Sequence, residues 1–201
     1  SAPGMIAAIW PGDNATRSAQ VADWRHLPLA DGAAAQVIGD GSLNALPDRE
    51  TLREVLVEMK RLLAPAGRAV VRVFVRPDSA ETVAAVLEAA RAGRGASLNV
   101  LRWRLASALA AAPDYRVRVA DILAAAEPLD DLELLARVTN SDPAEAEHLL
   151  AYRDSGAVYV FPDRAAVVAD AALAGLHCDW VETAGYPGAE DCPFAVLRHA
   201  G

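Results

Sequence analysis

The chain has 201 residues, 53% of them hydrophobic and 23% charged, and a formal net charge of −8. That length holds one α/β domain with a full core, and no apolar run approaches the roughly 18 residues of a membrane-spanning helix. The negative balance excludes nucleic acid as the main partner, because a phosphate backbone is bound through clustered cations.

The start carries neither a basic n-region nor an apolar h-region, which reads as a cytoplasmic protein. Lys60 is the single lysine among 19 basic residues, a bias expected of a GC-rich bacterial coding sequence. In chain order, Trp10-Pro11-Gly12-Asp13 sets an aromatic beside a forced turn. Val21-Ala22-Asp23-Trp24 is a short apolar run closed by an acid and predicts a strand. Ala35-Gln36-Val37-Ile38 predicts another, ending in Gly39-Asp40-Gly41-Ser42. Leu52, Val55, Leu56, Met59, Leu62 and Leu63 repeat at i, i+3, i+4 and i+7, which predicts a helix packed on one face over 48–63. Asp48 is its N-cap, and Pro65 with Gly67 stops it. A nearly continuous apolar strand follows over 69–75. Val83, Val86, Leu87 and Ala90 then repeat the helical spacing behind Ser79 as N-cap. Valine-rich strands alternating with helices predict a Rossmann-like, doubly wound, mostly parallel sheet covered on both faces. Ligands of such a sheet sit at the carboxyl ends of its strands, so Asp23 and Asp40 are aimed at a ligand crevice.

The pattern changes over 93–156. Leu98, Leu101, Leu105 and Leu109 mark one helix, Leu132, Leu135 and Val138 a second, and Asp142-Pro143 opens a third. Residues 115–119 alternate well enough for a short strand. The segment reads as a mainly helical insertion or cap within a single α/β domain of residues 1–201. Alternation returns over 157–161, and Asp163 caps a helix ending at Gly175. Residues 177–183 and 193–199 read as a closing antiparallel strand pair, joined through Gly185-Tyr186-Pro187-Gly188. In that hairpin Cys192 falls opposite a residue near Glu182 rather than Cys178, so both thiols are expected free and buried. His26, His148, His177 and His199 are scattered without metal-ligand spacing.

Four segments together resemble class I S-adenosylmethionine (SAM)-dependent methyltransferases. Ser1-Ala2-Pro3-Gly4-Met5-Ile6 is similar to the segment after the family's second strand. Ala22-Asp23-Trp24-Arg25-His26-Leu27-Pro28-Leu29 is similar to the third-strand motif, whose acid faces the adenine amine. Val37-Ile38-Gly39-Asp40-Gly41-Ser42-Leu43-Asn44-Ala45-Leu46 is similar to the fourth-strand motif beside the methyl donor. Leu62-Leu63-Ala64-Pro65-Ala66-Gly67-Arg68 is similar to the turn before the fifth strand. The likeness covers residues 1–92 and the last 40, and the helical middle has no counterpart. It also implies a first strand, a glycine-rich turn and a ribose-binding acid ahead of Ser1, none of which this sequence contains. The reading taken is that these N-terminal strands are missing through truncation or disorder. The alternative is an artificial leader over residues 1–4 with Met5 as native start. Such a chain leaves an apolar sheet edge exposed and does not hold SAM fully by itself.

The resemblance implies SAM as cofactor, with Met5, Asp23, Trp24, Gly39, Asp40 and Gly41 around it. Ser42, Asn44 and Arg76 are the candidates for orienting a small-molecule acceptor. Each has a plainer alternative. Asp23 can simply open a loop, Gly39-Asp40-Gly41 can be turn chemistry, and Met5 can be core. Ser42 and Asn44 can cap a local turn, and Arg76 can sit in a surface ion pair. Trp103, Tyr115 and Tyr152 are the aromatic candidates of the cap. The function expected is direct in-line methyl transfer to a small molecule, with no nucleic acid, membrane or metal, no identifiable catalytic residue and an open oligomeric state. The alternative is a non-catalytic scaffold or partner-binding module without a complete SAM site. Another nucleotide-using doubly wound fold, such as a reductase, is a third option without a fingerprint here.

Overall fold

The computed structural model describes residues 10–94, 97–129, 132–142, 144, 147, 150, 152–183 and 185–201. Strand β1 is Ala34–Asp40, helix α1 Arg49–Leu62, β2 Leu63–Arg72 and α2 Val83–Ala89. The middle of the chain forms α3 (Leu98–Leu109), β3 (Arg116–Arg118), α4 (Val119–Ala126) and α5 (Leu132–Thr139). Strand β4 (Val158–Val160), α6 (Arg164–Leu173), β5 (Leu176–Val181) and β6 (Phe194–His199) complete it.

The helix ends follow local chemistry. Asp48 caps α1 by accepting the Thr51 N–H at 2.8 Å, with Glu50 in the first turn and Lys60 and Arg61 in the last, both favourable to the helix dipole. Asp163 caps α6 through the Ala166 N–H at 2.7 Å, and Gly175, at φ 75, ends it in the left-handed region. Helix α2 departs from expectation. Its cap is Thr82, whose hydroxyl accepts the Ala85 N–H at 3.2 Å, because an N-cap must stand three residues before the amide it satisfies and Ser79 stands too early. Asp142 accepts the Ala144 N–H at 2.8 Å. Ala144 and Glu147 are helical as expected there, and the residues around them, His148 included, lie outside the described residues.

One sheet has the order β1-β2-β6-β5. β1 and β2 are parallel, while β6 runs antiparallel to both β2 and β5. The expectation of a mostly parallel sheet is therefore corrected to a mixed one, because the last strand returns between β2 and β5. Helix α1 ends at Leu62, just ahead of Pro65 and Gly67, and residues 64–67 belong to β2. They form an irregularity within β2, where the register against β1 shifts between Ala34 and Gln36. Residues 21–23 form no strand among the described residues. Helices α1 and α6 pack on the sheet face of Val71, Ala195 and Leu197. The other face carries Ile38, Arg72 and the His177–Asp179–Arg198 ion pairs, so the helices that share the sheet's core lie on one face, not two. Ile38 on edge strand β1 is 76% exposed. No helix of the described residues is long and apolar enough to cross a membrane. Cys178 pairs with Leu197 across the ladder, and both cysteines are free. Burial pushes their thiols up to about 11 for Cys178 and about 12 for Cys192.

A second core lies in the helical middle, where Val86, Leu101, Leu105, Ile122, Leu135 and Phe161 are buried together. Strands β3 and β4 form a two-stranded antiparallel ribbon beside it. Asn44, only 3% exposed, joins the two cores. Its amide donates to the carbonyls of Phe74 and Val160, both at 2.8 Å, and accepts the Phe74 N–H at 2.9 Å. Its own carbonyl accepts the Val160 N–H at 3.0 Å. Asn44→Ala would strand one buried N–H and two buried carbonyls. A buried group left without a partner costs about 1–3 kcal/mol, so the variant should lose about 3 kcal/mol or more in a urea titration. A loss under about 1 kcal/mol would mean that water or another side chain replaces the amide.

Candidate functional site

Two crevices flank the carboxyl ends of β1 and β2, where an α/β sheet places its ligands. The first, of about 250 Å³, lies beside the free edge of β1. Trp24, Leu27, Ile38, Ser42, Glu58 and Met59 are among its walls. The loop that carries Leu27 is pinned from α1. Glu58, with its side chain 7% exposed, accepts the Leu27 N–H at 2.7 Å and a two-point contact from Arg61 at 2.7 and 2.8 Å. Arg61 also reaches Asp31 at 2.6 Å. The Arg61 hydrogen bonds hold the Glu58 carboxyl below its usual range against the opposing push of burial, with help from the Leu27 N–H. Ser42 sends a buried hydroxyl into this region that has no hydrogen bond among the described residues. A Cβ at position 39 would collide with that hydroxyl, which is why glycine stands there.

The strand ends separate the first crevice from the second. Asp40 is gripped by Arg72 of β2 at 2.7 and 2.6 Å, the fork geometry of a bidentate pair. The same guanidinium lies 5.8 Å from the Phe74 ring centroid and 3.5 Å from the Tyr186 hydroxyl. Gly41 has φ 61, and a Cβ there would stand 2.7 Å from Phe74. Phe74 in turn stacks on Trp103 of α3, with ring centroids 4.6 Å apart. These two rings form part of the wall of the second crevice, of about 370 Å³, with Glu81, Arg104, Ser107 and Asp191. Glu81 and Arg104 are themselves paired at 2.7 and 2.6 Å. Past Trp103 and Pro187 the space continues into a hollow of about 540 Å³ beside Asn99, Asn140 and Tyr186.

The residues singled out from sequence are distributed unevenly. Met5 and the segment around it lie outside the described residues. Asp23 does not end a strand. It accepts the Arg25 N–H at 2.9 Å in a tight turn and is clamped by the Arg25 side chain, 2.7 Å at the shortest, which holds its carboxyl far below the usual range. Trp24, 40% exposed, reaches the first crevice. Gly39, Asp40 and Gly41 stand at the strand end, with Asp40 committed to Arg72. Ser42 faces the first crevice. Asn44 is corrected from acceptor binding to structure, because its amide is consumed by backbone. Arg76 lines neither crevice, and its buried Nε has no hydrogen bond among the described residues. Its backbone N–H bonds the Pro162 carbonyl at 3.0 Å, and its charge acts on Asp163. Burial pushes the Asp163 carboxyl up. Hydrogen bonds from the Tyr115 hydroxyl and the Ala166 N–H, with the charges of Arg49 and Arg76, bring it below its usual range.

Of the cap aromatics, Trp103 lines the second crevice, Tyr115 bonds Asp163 at 2.6 Å, and Tyr152 lies under Arg102 at 4.9 Å. Phe74, Arg72 and Asp191 were missed by sequence reasoning. For Arg72 there was a signal, an arginine interrupting an apolar strand in register with Asp40. For Asp191 there was none.

No protein-family model and no curated protein matches this sequence. Solved structures do. A putative Zn-dependent alcohol dehydrogenase from Rhodobacter sphaeroides is similar at 15% identity and a TM-score of 0.51, over 90% of this chain and 66% of that one. A SAM-dependent methyltransferase from Methanosarcina mazei is similar at 12% identity and a TM-score of 0.48, over 90% and 66%. The CcbJ methyltransferase of Streptomyces caelestis is similar at 14% identity and a TM-score of 0.45, over 90% and 63%. The chain thus spans just under two thirds of the length of the structures it matches. What the similarity at these identities shows is an α/β fold with a mixed sheet.

Two outcomes follow from this geometry. Gly41→Ala should cost about 2 kcal/mol, because alanine is strained at positive φ and its methyl meets Phe74. The near-UV circular dichroism of the Phe74–Trp103 pair should change with it, and an unaltered spectrum would refute the contact. Glu58→Gln should lower stability at neutral pH. Because the folded carboxyl sits below its unfolded range, the advantage of the native acid is full above that range and lost as pH falls through the folded value. Urea midpoints of the two proteins should converge in acid, and a gap that persists there would count against the Arg61 pairing.

Proposed function

We propose that this chain takes part in SAM-dependent methylation of a small molecule. The observation that carries the reading is that Trp24 and Ser42 line one crevice at the edge of β1. They come from two different segments of methyltransferase-like sequence, joined there by folding rather than by chain neighbourhood. The fit to the cofactor is partial. A slot walled by Trp24, Leu27, Ile38 and Met59 suits the planar, apolar faces of an adenine, and the buried Ser42 hydroxyl beside it has no hydrogen bond among the described residues. The carboxylates nearest to it do not suit a ribose or an amino group, since Asp23, Asp40 and Glu58 are held by Arg25, Arg72 and Arg61. The residues present therefore fit the adenine end.

When bound, SAM supplies a methyl group already activated as an electrophile, so the protein's share of the work is alignment and exclusion of water. The Gly41–Ser42 turn is the partition between the slot and the second crevice, which is of a size for a small acceptor. Helix α3, with Trp103, forms the far wall, so residues 93–156 act as the cap that selects the acceptor. A second reading, a partner-binding scaffold, is favoured by one observation. Both acids expected to face the cofactor are sequestered in ion pairs, and no strand among the described residues pairs with the outer edge of β1.

Titration calorimetry with SAM and with S-adenosylhomocysteine separates the two readings. Binding should be seen, and Trp24→Ala should weaken it by about tenfold or more, the usual worth of one base–aromatic stack. Absence of binding, or binding indifferent to Trp24→Ala, would refute the methyl-transfer reading and leave the scaffold.

A further inference from the structure

We propose that the crevice between α3 and the loop over 185–191 is a recognition site for an arylalkylamine, its ammonium on the Asp191 carboxylate and its flat ring against Trp103. The first support is the state of Asp191. Its carboxylate is half-buried and lines the crevice, yet it takes part in no hydrogen bond or ion pair among the described residues. Three acids around the two crevices are spent on arginines instead: Asp40 on Arg72, Glu58 on Arg61 and Glu81 on Arg104. Asp191 is also held still. Its N–H bonds the Gly188 carbonyl at 3.3 Å and its carbonyl accepts the Val75 N–H at 2.9 Å, which ties the backbone beneath the carboxylate to the extension of β2. Burial, then the neighbouring charge of Glu190, raises the Asp191 carboxyl above its usual range. An unpaired carboxylate so placed costs stability, and such groups concentrate where a ligand supplies the missing partner.

The ring half of the site is Trp103. Phe74 covers it from one side, and its indole borders both the 370 Å³ crevice and the adjoining 540 Å³ hollow. A flat ring entering between them meets aromatic surface on the way to Asp191. The charge of the walls agrees. Arg104 is neutralised by Glu81, and Arg164, whose charge also reaches Asp191, by Glu182, which leaves Glu190 and Asp191 facing Arg94. A cation is the ligand such a surplus selects. That this ligand is also the methyl acceptor rests on the reading given above. Its binding does not, and is tested without SAM.

The test is calorimetry on the full chain with tryptamine, and with indole-3-propionate, which keeps the ring and replaces the ammonium by a carboxylate. Tryptamine should bind, and indole-3-propionate should bind at least about tenfold more weakly. Asp191→Asn should weaken tryptamine by about ten- to a hundredfold. Its melting temperature at neutral pH should not fall, because the substitution removes an unpaired charge rather than a structural contact. Equal binding of the two probes, no binding of either, or unchanged tryptamine affinity in Asp191→Asn would overturn the assignment. The comparison of the two probes on the unaltered protein stands even if the variant folds poorly.

Discussion

One side-chain amide holds this architecture together. Asn44 sits where the sheet core and the helical core meet. Either side of it the chain alternates between them: Val73, Val75 and Val160 face the sheet, while Phe74 and Phe161 face the helices. A strand extension and a ribbon that pass each other at such a seam leave backbone groups without ladder partners, and burial makes those groups expensive. An asparagine carries two donors and an acceptor in one plane, enough to satisfy Phe74 on both its groups and Val160 on its carbonyl. Neither aspartate nor glutamine does the same. Aspartate lacks the donors, and glutamine sets the amide one carbon too far out. The second crevice exists because this seam is fixed: Phe74 is positioned by Asn44, and Trp103 is positioned by Phe74.

The second organising fact is the pairing of acids with arginine forks. Asp170, wholly buried, is shared by Arg49 and Arg53 between α1 and α6. Breaking such a buried pair by removing one member costs about 3–5 kcal/mol, because the remaining charge has no water. The exposed pair of Asp40 and Arg72 is worth about 1 kcal/mol at most, so its effect is on geometry. It holds the strand ends in register and draws Arg72 across Phe74. Acids at strand ends were expected to face a ligand. In a chain with many arginines and one lysine, planar guanidinium groups find the carboxylates first.

What was legible in the sequence follows from the range of the interaction involved. Helices α1 and α6 were readable because periodicity and caps are local: Asp48 and Asp163 each act on an amide three residues away. The run over 21–24 was misread because a strand is defined by a neighbour. Apolar residues without a ladder partner settle instead into the turn that Asp23 and Arg25 build. The order of the closing strands was only partly readable, since the antiparallel insertion of β6 between β2 and β5 is a long-range choice. Asn44 was the least legible of all. Its partners lie 30 and 116 residues away, and nothing in Leu43-Asn44-Ala45 distinguishes a seam from a surface turn.

The two crevices lie either side of the Gly41–Ser42 turn. Gly41 touches Phe74 on one side, and the next residue, Ser42, lines the slot of Trp24 on the other. A residue with positive φ beside one held over a glycine leaves the turn little freedom to adjust, because both neighbours already press on it. Phe74 in turn packs on the helical core and stacks on Trp103, while Asp191 across the crevice is tied through its carbonyl to Val75 beside the sheet core. The second crevice thus draws its walls from both cores, and glycine at 41 lets the strand end close against Phe74 without a side chain between them.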